Sequence, residues 1–131
     1  MTYLLDTNTC VYAIKREPTV LRHLQERSPD EFGVTAITLA ELRFGAAKSS
    51  RPQRTRESVD AFLKPFEVLP FESEAAASYA EIRLQLEKEG RPIGERDLMI
   101  ASIGRSRNLT VVTHNVREFS RVSGLRIEDW L

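Results

Sequence analysis

The sequence predicts a three-layer α/β/α fold, in which helices cover both faces of a short, mostly parallel central sheet. The predicted strands are short continuous apolar runs, which are typical of strands buried on both faces of a parallel sheet. One or two helices separate each strand from the next, as parallel connections require. The chain has 131 residues, of which 41% are hydrophobic and 29% charged. This size and composition fit one globular domain over residues 1–131.

The first predicted elements are a strand at TYLL, residues 2–5, and the helix that follows it. The run TYLL is short and apolar, so it fits a buried strand. Thr7 or Asn8 is placed to cap the helix, in which Val11 and Ile14 belong to an apolar stripe at helical spacing. A polar segment therefore begins directly where the first strand ends.

Residues 18–64 predict one strand and three helices. Pro18 interrupts the chain and begins a helix with an apolar side, which runs to about residue 27. FGVTAI, residues 32–37, is a second apolar strand that follows a Ser-Pro-Asp turn. Two helices come next, the first with apolar residues at helical spacing and the second polar with a narrow apolar seam. They span residues 38–48 and 52–64.

The rest of the chain predicts two strands and two helices. EVLPF, residues 67–71, is the third strand and contains a proline suited to a strand end. Ser73 caps a helix of strong helix formers that Gly90 terminates. Gly94 opens a buried helix, and LTVVT, residues 109–113, is the last predicted strand.

Composition excludes several classes of protein. The longest apolar runs are shorter than the roughly 18 residues that span a bilayer, and the N-terminus does not have the pattern of a signal peptide. We therefore expect a cytoplasmic protein with no membrane partner. The 19 basic and 19 acidic side chains balance, so binding of a nucleic acid depends on local clusters of charge. Lys48, Arg51 and Arg54 form one such cluster, although a solvated helix face explains it equally well.

Three acidic residues fall where ligands bind in an open parallel sheet, beyond the carboxyl ends of the strands. Asp6 follows the first strand directly, Glu41 lies early in the helix after the second strand, and Asp97 falls in the first turn of a buried helix. Thr113 and Asn115 lie at the end of the last strand. We expect these side chains to meet at one edge of the sheet.

Each acid also has a purely structural explanation. Asp6 would cap a helix, Glu41 would face solvent, and Asp97 would interact with the free N–H groups of its helix. However, Glu41 and Asp97 lie among apolar neighbours, where an unpaired charge is unfavourable. Carboxylates held close together are stable mainly when they share a cation, and an all-oxygen ligand set selects Mg²⁺ or Mn²⁺. The sequence therefore predicts a shared metal site.

Four motifs occur in order along the chain: LLDTN, TLAELRFGAAKS, GRPIGERDLMIA and LTVVTHNVREFSRVSGLRIEDW. Together they resemble the VapC toxins, the PIN-domain ribonucleases of bacterial and archaeal toxin-antitoxin pairs. The resemblance spans almost the whole chain and implies a PIN-like fold. It also implies that Asp6, Glu41 and Asp97 are the catalytic, metal-binding acids and that Thr7 supports the metal or its water.

The chain departs from the family pattern at one position. Many PIN domains carry a fourth acid just after the last strand, where this chain has Asn115. An amide oxygen can still contact a metal ion or its water, so Asn115 is retained as a supporting residue with Thr113 and Glu118. Because an amide contributes no charge, we expect weaker binding of a second metal ion.

The resemblance implies a metal-dependent endoribonuclease that uses a metal-activated water to cut RNA and so inhibits translation. It favours tRNA over ribosomal RNA as the substrate, and it implies a homodimer with a VapB-type antitoxin as partner. The RNA backbone is expected to contact basic residues, for which we select Arg43, Lys48, Arg51 and Arg54. The alternative is a PIN-like module that binds RNA or a partner without cutting, which Asn115 and the zero net charge favour.

Overall fold

The computed structural model describes all residues, 1–131, and contains five strands, seven α-helices and one short 3-10 helix. The strands are β1 (Tyr3–Leu5), β2 (Phe32–Thr35), β3 (Glu67–Leu69), β4 (Thr110–Val112) and β5 (Arg126–Glu128). The helices are α1 (Thr7–Ile14), α2 (Pro18–Gln25), α3 (Ala36–Ala47), α4 (Pro52–Leu63), α5 (Ser73–Lys88), α6 (Glu95–Ser106) and α7 (Val116–Phe119), and the 3-10 helix covers Pro29–Glu31.

The five strands form one sheet in the order β3-β2-β1-β4-β5, and every neighbouring pair is parallel. β1 lies at the centre, where Leu4 pairs with Gly33 of β2 and with Val111 of β4. The order of the strands reverses at β1. In parallel sheets the crevice beyond the carboxyl ends at such a reversal is the usual place for a ligand, so the fold itself points to the end of β1.

Two hydrophobic clusters cover the two faces of the sheet. Successive strand residues face opposite sides, so Leu4 and Val111 pack with α5 and α6, whereas Leu5 and Val112 pack with α1 to α4. The α6 helix lies very close to the sheet, since a Cβ atom at Gly104 would come 2.7 Å from Cγ2 of Val111. The predicted three-layer α/β/α architecture is confirmed.

The structure moves the predicted starts of α3 and α5, and β3 ends at Leu69 rather than at residue 71. β2 ends at Thr35 rather than at residue 37, because the Thr35 side chain accepts a hydrogen bond from the N–H of Thr38 and so caps α3. Ser73 is the first residue of α5 and not its cap; Glu72 occupies the cap position without a side-chain hydrogen bond. In both places the apolar pattern predicts the element but not its first residue.

The fifth strand is absent from the sequence-based prediction. Its three residues, Arg126–Glu128, are mostly polar, because β5 is an edge strand that pairs with β4 alone. Beyond it the indole of Trp130 is almost fully buried and packs edge-on against Tyr3 and Phe32. The C-terminal residues therefore close one face of the sheet. Among the helices, none combines the length and the apolar character that crossing a membrane requires.

Candidate active site

Asp6 lies at the end of β1 and caps α1. The backbone N–H of Thr9 donates a hydrogen bond to Oδ1 of Asp6 at 2.8 Å, so the cap is Asp6 and not Thr7 or Asn8. Asp6 is only 3% exposed. Burial raises the pKa of its carboxyl group, and a hydrogen bond from the Thr113 side chain partly offsets that rise. One residue thus fixes the start of a helix and brings a buried carboxyl group to the edge of the sheet.

Glu41 lies on α3, where a threonine of α1 fixes its carboxylate. The Thr7 hydroxyl donates a hydrogen bond to Oε1 of Glu41 at 2.6 Å, and it lies 3.1 Å from the hydroxyl oxygen of Thr38. Oε2 of Glu41 is 3.9 Å from Nε of Arg96, which is close to the limit of an ion pair. The position of Glu41 is therefore set mainly by Thr7.

Asp97 is the third residue of α6, in the first turn after the capping Gly94. Its carboxyl group has a pKa raised to about 6, first by burial and then by the negative charges of Asp6, Glu118 and Glu41. The side-chain N–H of Asn115 donates a hydrogen bond to Oδ2 of Asp97 at 3.3 Å and opposes the rise. The raised pKa shows that the predicted acids share one negatively charged environment.

Asn115 links the end of β4 to Asp97 and Glu118. Its backbone N–H donates a hydrogen bond to Oγ1 of the fully buried Thr113 at 2.9 Å, which holds the turn after the strand. Its side-chain N–H groups donate to Oδ2 of Asp97 and, at 3.0 Å, to Oε2 of Glu118. The amide N–H groups therefore stabilise the carboxylates of Asp97 and Glu118, whereas a fourth acid at this position would repel them.

The three predicted acids open into one cleft of about 580 Å³, which we call the acidic cleft. It lies between α1, α3 and the start of α6, and its lining comprises Asp6, Thr7, Asn8, Glu41, Gly94, Glu95, Arg96, Asp97 and Met99. Thr113, Asn115 and Glu118 do not line it. Asn115 contacts Asp97 by a hydrogen bond, and the charge of Glu118 raises the pKa of Asp97. Thr113 contacts Asp6 by a hydrogen bond.

The chemistry of the acidic cleft fits a hard divalent cation. Its donors are carboxylate and hydroxyl oxygens, with no cysteine or histidine among the lining residues. The pKa of Asp97 is raised first by burial and then by like charges, which a cation would neutralise. No three acidic, histidine or cysteine side chains are already drawn together as a preformed metal site.

The four basic residues selected for RNA contact have different surroundings. Lys48 lies in a second cleft that adjoins the acidic cleft, with Thr7, Glu41 and Arg96 shared between the two. The other three do not line either cleft. Arg43 lies 3.6 Å from Asp60, and Arg51 and Arg54 are exposed at the start of α4.

Arg96 and Phe44 are among the residues of these clefts that were not selected from the sequence. Arg96 precedes Asp97 and lines both clefts, so its place beside an acidic residue in the motif GERD was the available signal. Phe44 lies one turn after Glu41 and is 66% exposed. No sequence pattern singles out Phe44, and the structure shows that it faces solvent.

Comparison with known proteins agrees with this geometry. The PIN domain family matches residues 3–125. A relative from Salmonella typhimurium, named tRNA(fMet)-specific endonuclease VapC, is 43% identical over 128 residues, which cover 98% of this chain and 97% of the relative. The ribonuclease VapC2 of Rickettsia felis is 38% identical over 132 residues, covering 99% of this chain and 98% of that protein.

Solved structures of the same group superpose over the full length of the chain. The DNA-bound VapBC of Salmonella typhimurium has a TM-score of 0.95 at 41% identity, covering 100% of this chain and 99% of that one. VapBC2 of Rickettsia felis, bound to a DNA fragment from its promoter, has a TM-score of 0.94 at 37% identity and full coverage of both chains. The family match, the relatives and the arrangement of the three acids agree, and the chain therefore belongs to the VapC proteins of the PIN domain family.

Proposed function

We propose that this protein is the endoribonuclease toxin of a VapBC toxin-antitoxin pair and that it hydrolyses RNA with Mg²⁺ or Mn²⁺ bound in the acidic cleft. The observation that carries the proposal is that Asp6, Glu41 and Asp97, from three distant segments, line one cleft at the carboxyl edge of the sheet. The relatives bear the names of ribonucleases, and the Salmonella relative is named for tRNA(fMet). We accordingly favour tRNA as the substrate.

In this proposal, one ion is bound by residues of the acidic cleft, which neighbouring side chains hold in position. Asp6, Glu41 and Asp97 are its ligands in this proposal, because their oxygens are the donors that Mg²⁺ and Mn²⁺ prefer. Thr7 holds the carboxylate of Glu41 through its hydroxyl group, and Asn115 orients Asp97. When bound, such an ion polarises the scissile phosphate and lowers the pKa of a coordinated water.

The chemistry of the products follows from the residues that are present. Water activated by the bound ion is the nucleophile in this proposal, and the acidic cleft contains no serine, cysteine or histidine. Attack by water leaves a 5′-phosphate and a 3′-hydroxyl group and does not use the ribose 2′-hydroxyl group. A 2′,3′-cyclic phosphate on the product would contradict this route.

The proposal includes the partners of a toxin. The structural relatives from Salmonella typhimurium and Rickettsia felis are VapBC complexes, and we propose a VapB-type antitoxin as the partner of this chain. A homodimer and action in the cytoplasm, where tRNA is found, complete the proposal. Cutting of tRNA would stop translation, and the antitoxin would prevent it.

A second function is favoured by one observation. Asn115 occupies the place of a fourth acid and donates its amide N–H groups to Asp97 and Glu118, an arrangement that also suits a module that binds RNA without cutting it. The two functions differ in what the variant Asp97→Asn does. A nuclease would lose cleavage and keep its affinity for RNA, whereas a binding module would retain all of its function.

The test is cleavage of total RNA by the purified protein without antitoxin, with Mg²⁺, with Mn²⁺ and with a chelator. Wild type is compared with Asp6→Ala and with Glu74→Gln, an exposed acid on α5 that serves as the control. We expect discrete fragments with 5′-phosphate ends only when metal is present, none with Asp6→Ala, and normal cleavage with the control. Intact RNA under all conditions, together with measurable binding, would favour the non-cutting module.

A further inference from the structure

Phe44 is the most exposed of the large apolar side chains, at 66%, although α3 contributes to the core. The buried residues of α3 are Thr38, Leu42 and Ala46, which lie on the opposite side of the helix from Phe44. An aromatic ring in water stabilises neither the helix nor the core. Its position therefore needs an explanation outside folding.

The Phe44 ring borders a cleft of about 430 Å³, which we call the side cleft. Phe44, Ala40, Gly45 and Lys48 line it, and Thr7, Glu41 and Arg96 belong to both this cleft and the acidic cleft. The two clefts thus form one continuous depression, with Phe44 one helical turn beyond Glu41. A polymer held in the acidic cleft would have its neighbouring unit in the side cleft.

Two cationic side chains, Lys48 and Arg96, line the same cleft as the ring. Nζ of Lys48 lies over one face of the Phe44 ring, 5.1 Å from its centroid, so a base would stack on the other face. Lys48 takes part in none of the six ion pairs of the chain. The Arg96 side chain is 72% exposed and makes only the long contact with Glu41. Proteins hold single-stranded nucleic acid with an aromatic ring and cations in one groove: the ring stacks on a base and the cations contact phosphates.

We propose that the side cleft is a nucleotide subsite, in which one unpaired base stacks on Phe44 and the adjoining phosphates contact Lys48 and Arg96. This inference rests on the proposed ribonuclease function and adds to it a site that recognises a base without reading its sequence. A base can reach the ring only when it is not paired. The subsite therefore restricts cleavage to loops or other single-stranded segments of a folded RNA.

The first test is abasic scanning of an RNA that the wild-type protein cuts, with kcat/KM measured for each substrate. Removing one base that stacks on Phe44, or making Phe44→Ala, is expected to lower kcat/KM by about 5- to 150-fold. On the substrate that lacks the stacked base, wild type and Phe44→Ala are expected to cut equally. Phe44→Trp keeps a stacking surface and is expected to retain activity. Leu84→Ala, which truncates an exposed leucine on α5, is the control and leaves cleavage unchanged.

A second variant fills the side cleft without disturbing the core. A Cβ atom at Gly45 meets no atom within 4 Å, so Gly45→Leu extends into the side cleft and is expected to lower affinity for the same RNA, measured in chelator, while the melting temperature is maintained. Retained affinity in Gly45→Leu would count against the inference.

Other outcomes separate this inference from the proposed function. If wild type cuts RNA and Phe44→Ala cuts it equally well, the stacking subsite is wrong and the nuclease function stands. The same conclusion follows if Phe44→Ala lowers kcat/KM by the same factor on every abasic substrate. If Phe44→Ala cuts normally but escapes inhibition by a VapB-type antitoxin, the ring is a protein contact, and the inference is again wrong. If wild type cuts no RNA at all, the proposed function fails first and this inference fails with it.

Discussion

Asp97→Asn is expected to stabilise the metal-free protein while it abolishes cleavage. A carboxyl pKa raised from 3.8 to about 6 corresponds to about 3 kcal/mol of unfavourable free energy for the ionised form. Asp97 is only half-buried, so screening by solvent reduces this figure to about 1–2 kcal/mol. The dipole of α6 favours the carboxylate by about 0.3–1 kcal/mol. The asparagine variant should therefore be more stable by about 1 kcal/mol when Asp97 is ionised.

The sign of the effect depends on pH. Between pH 3.8 and about 6 the unfolded chain ionises Asp97 while the folded chain keeps it protonated, so this group makes the protein less stable as the pH rises through that window. The stabilisation by Asp97→Asn should accordingly be present at about pH 7.5 and absent at about pH 4. The asparagine oxygen can still accept the hydrogen bond from Asn115, although a bond to a neutral acceptor is weaker than one to a carboxylate.

The assay is urea unfolding in chelator, with the free energy of unfolding compared between wild type and variant at each pH. Glu74→Gln is the matched control, since Glu74 is an exposed acid in the first turn of α5; this variant should be slightly less stable than wild type, because it loses a favourable interaction with the helix dipole. Saturating Mn²⁺ should reverse the order, because at about 100 times its Kd a ligand stabilises by about 2.7 kcal/mol. An Asp97→Asn protein that is less stable than wild type in chelator at about pH 7.5 would refute the proposed repulsion.

Three further variants test other contacts. Thr7→Val removes a hydrogen bond to the Glu41 carboxylate worth about 1.5–3 kcal/mol, so kcat/KM should fall at least about tenfold while affinity for RNA in chelator is unchanged; equal cleavage would show that Thr7 does not hold Glu41. Asn115→Asp adds a fourth charge and should tighten Mn²⁺ binding in calorimetry while lowering metal-free stability; unchanged affinity would exclude a ligand role. Gly104→Ala places a Cβ atom 2.7 Å from Val111 and should cost about 1–3 kcal/mol in urea unfolding; wild-type stability would show that the helix shifts freely.

The central part of the fold could be predicted from the sequence because its strands are buried on both faces. Both faces of β1 and β4 are covered by helices, so successive residues of these strands are apolar and form short continuous apolar runs in the sequence. β5 pairs on one side only, so RIE carries no such pattern and was missed. The start of α3 was misplaced because Ala36 and Ile37 are apolar enough to extend a strand, and the hydroxyl cap of Thr35 overrides that pattern.

The acids of the candidate site were predictable, but the contacts that position them were not. Asp6 directly follows β1, Asp97 lies in the first turn of α6, and Glu41 lies in the second turn of the helix after β2. The order of the elements brings these positions to the carboxyl edge of the sheet. The dual position of Asp6 as cap and cleft acid is a matter of side-chain geometry. The hydrogen bond from Thr7 to Glu41 joins residues 34 positions apart, and no local pattern encodes it.

The surroundings of Phe44 and Arg43 also could not be predicted from the sequence. Helical spacing cannot tell whether an aromatic residue beside a buried stripe turns inward, and Phe44 turns outward. Arg43 was selected for its charge, but its guanidinium group lies beside Asp60 on α4. Surface chemistry therefore depends on how α3 and α4 pack together, which composition does not determine.

Anomalous diffraction from crystals soaked with Mn²⁺ would locate the ion directly. The expected result is a peak in the acidic cleft within coordination distance of oxygens from Asp6, Glu41 and Asp97, and its loss in crystals of Asp97→Asn. A peak elsewhere, such as beside the exposed His114 and Asp129 pair, or no peak in the cleft at a concentration that supports cleavage, would contradict the assignment of these three acids as the metal site.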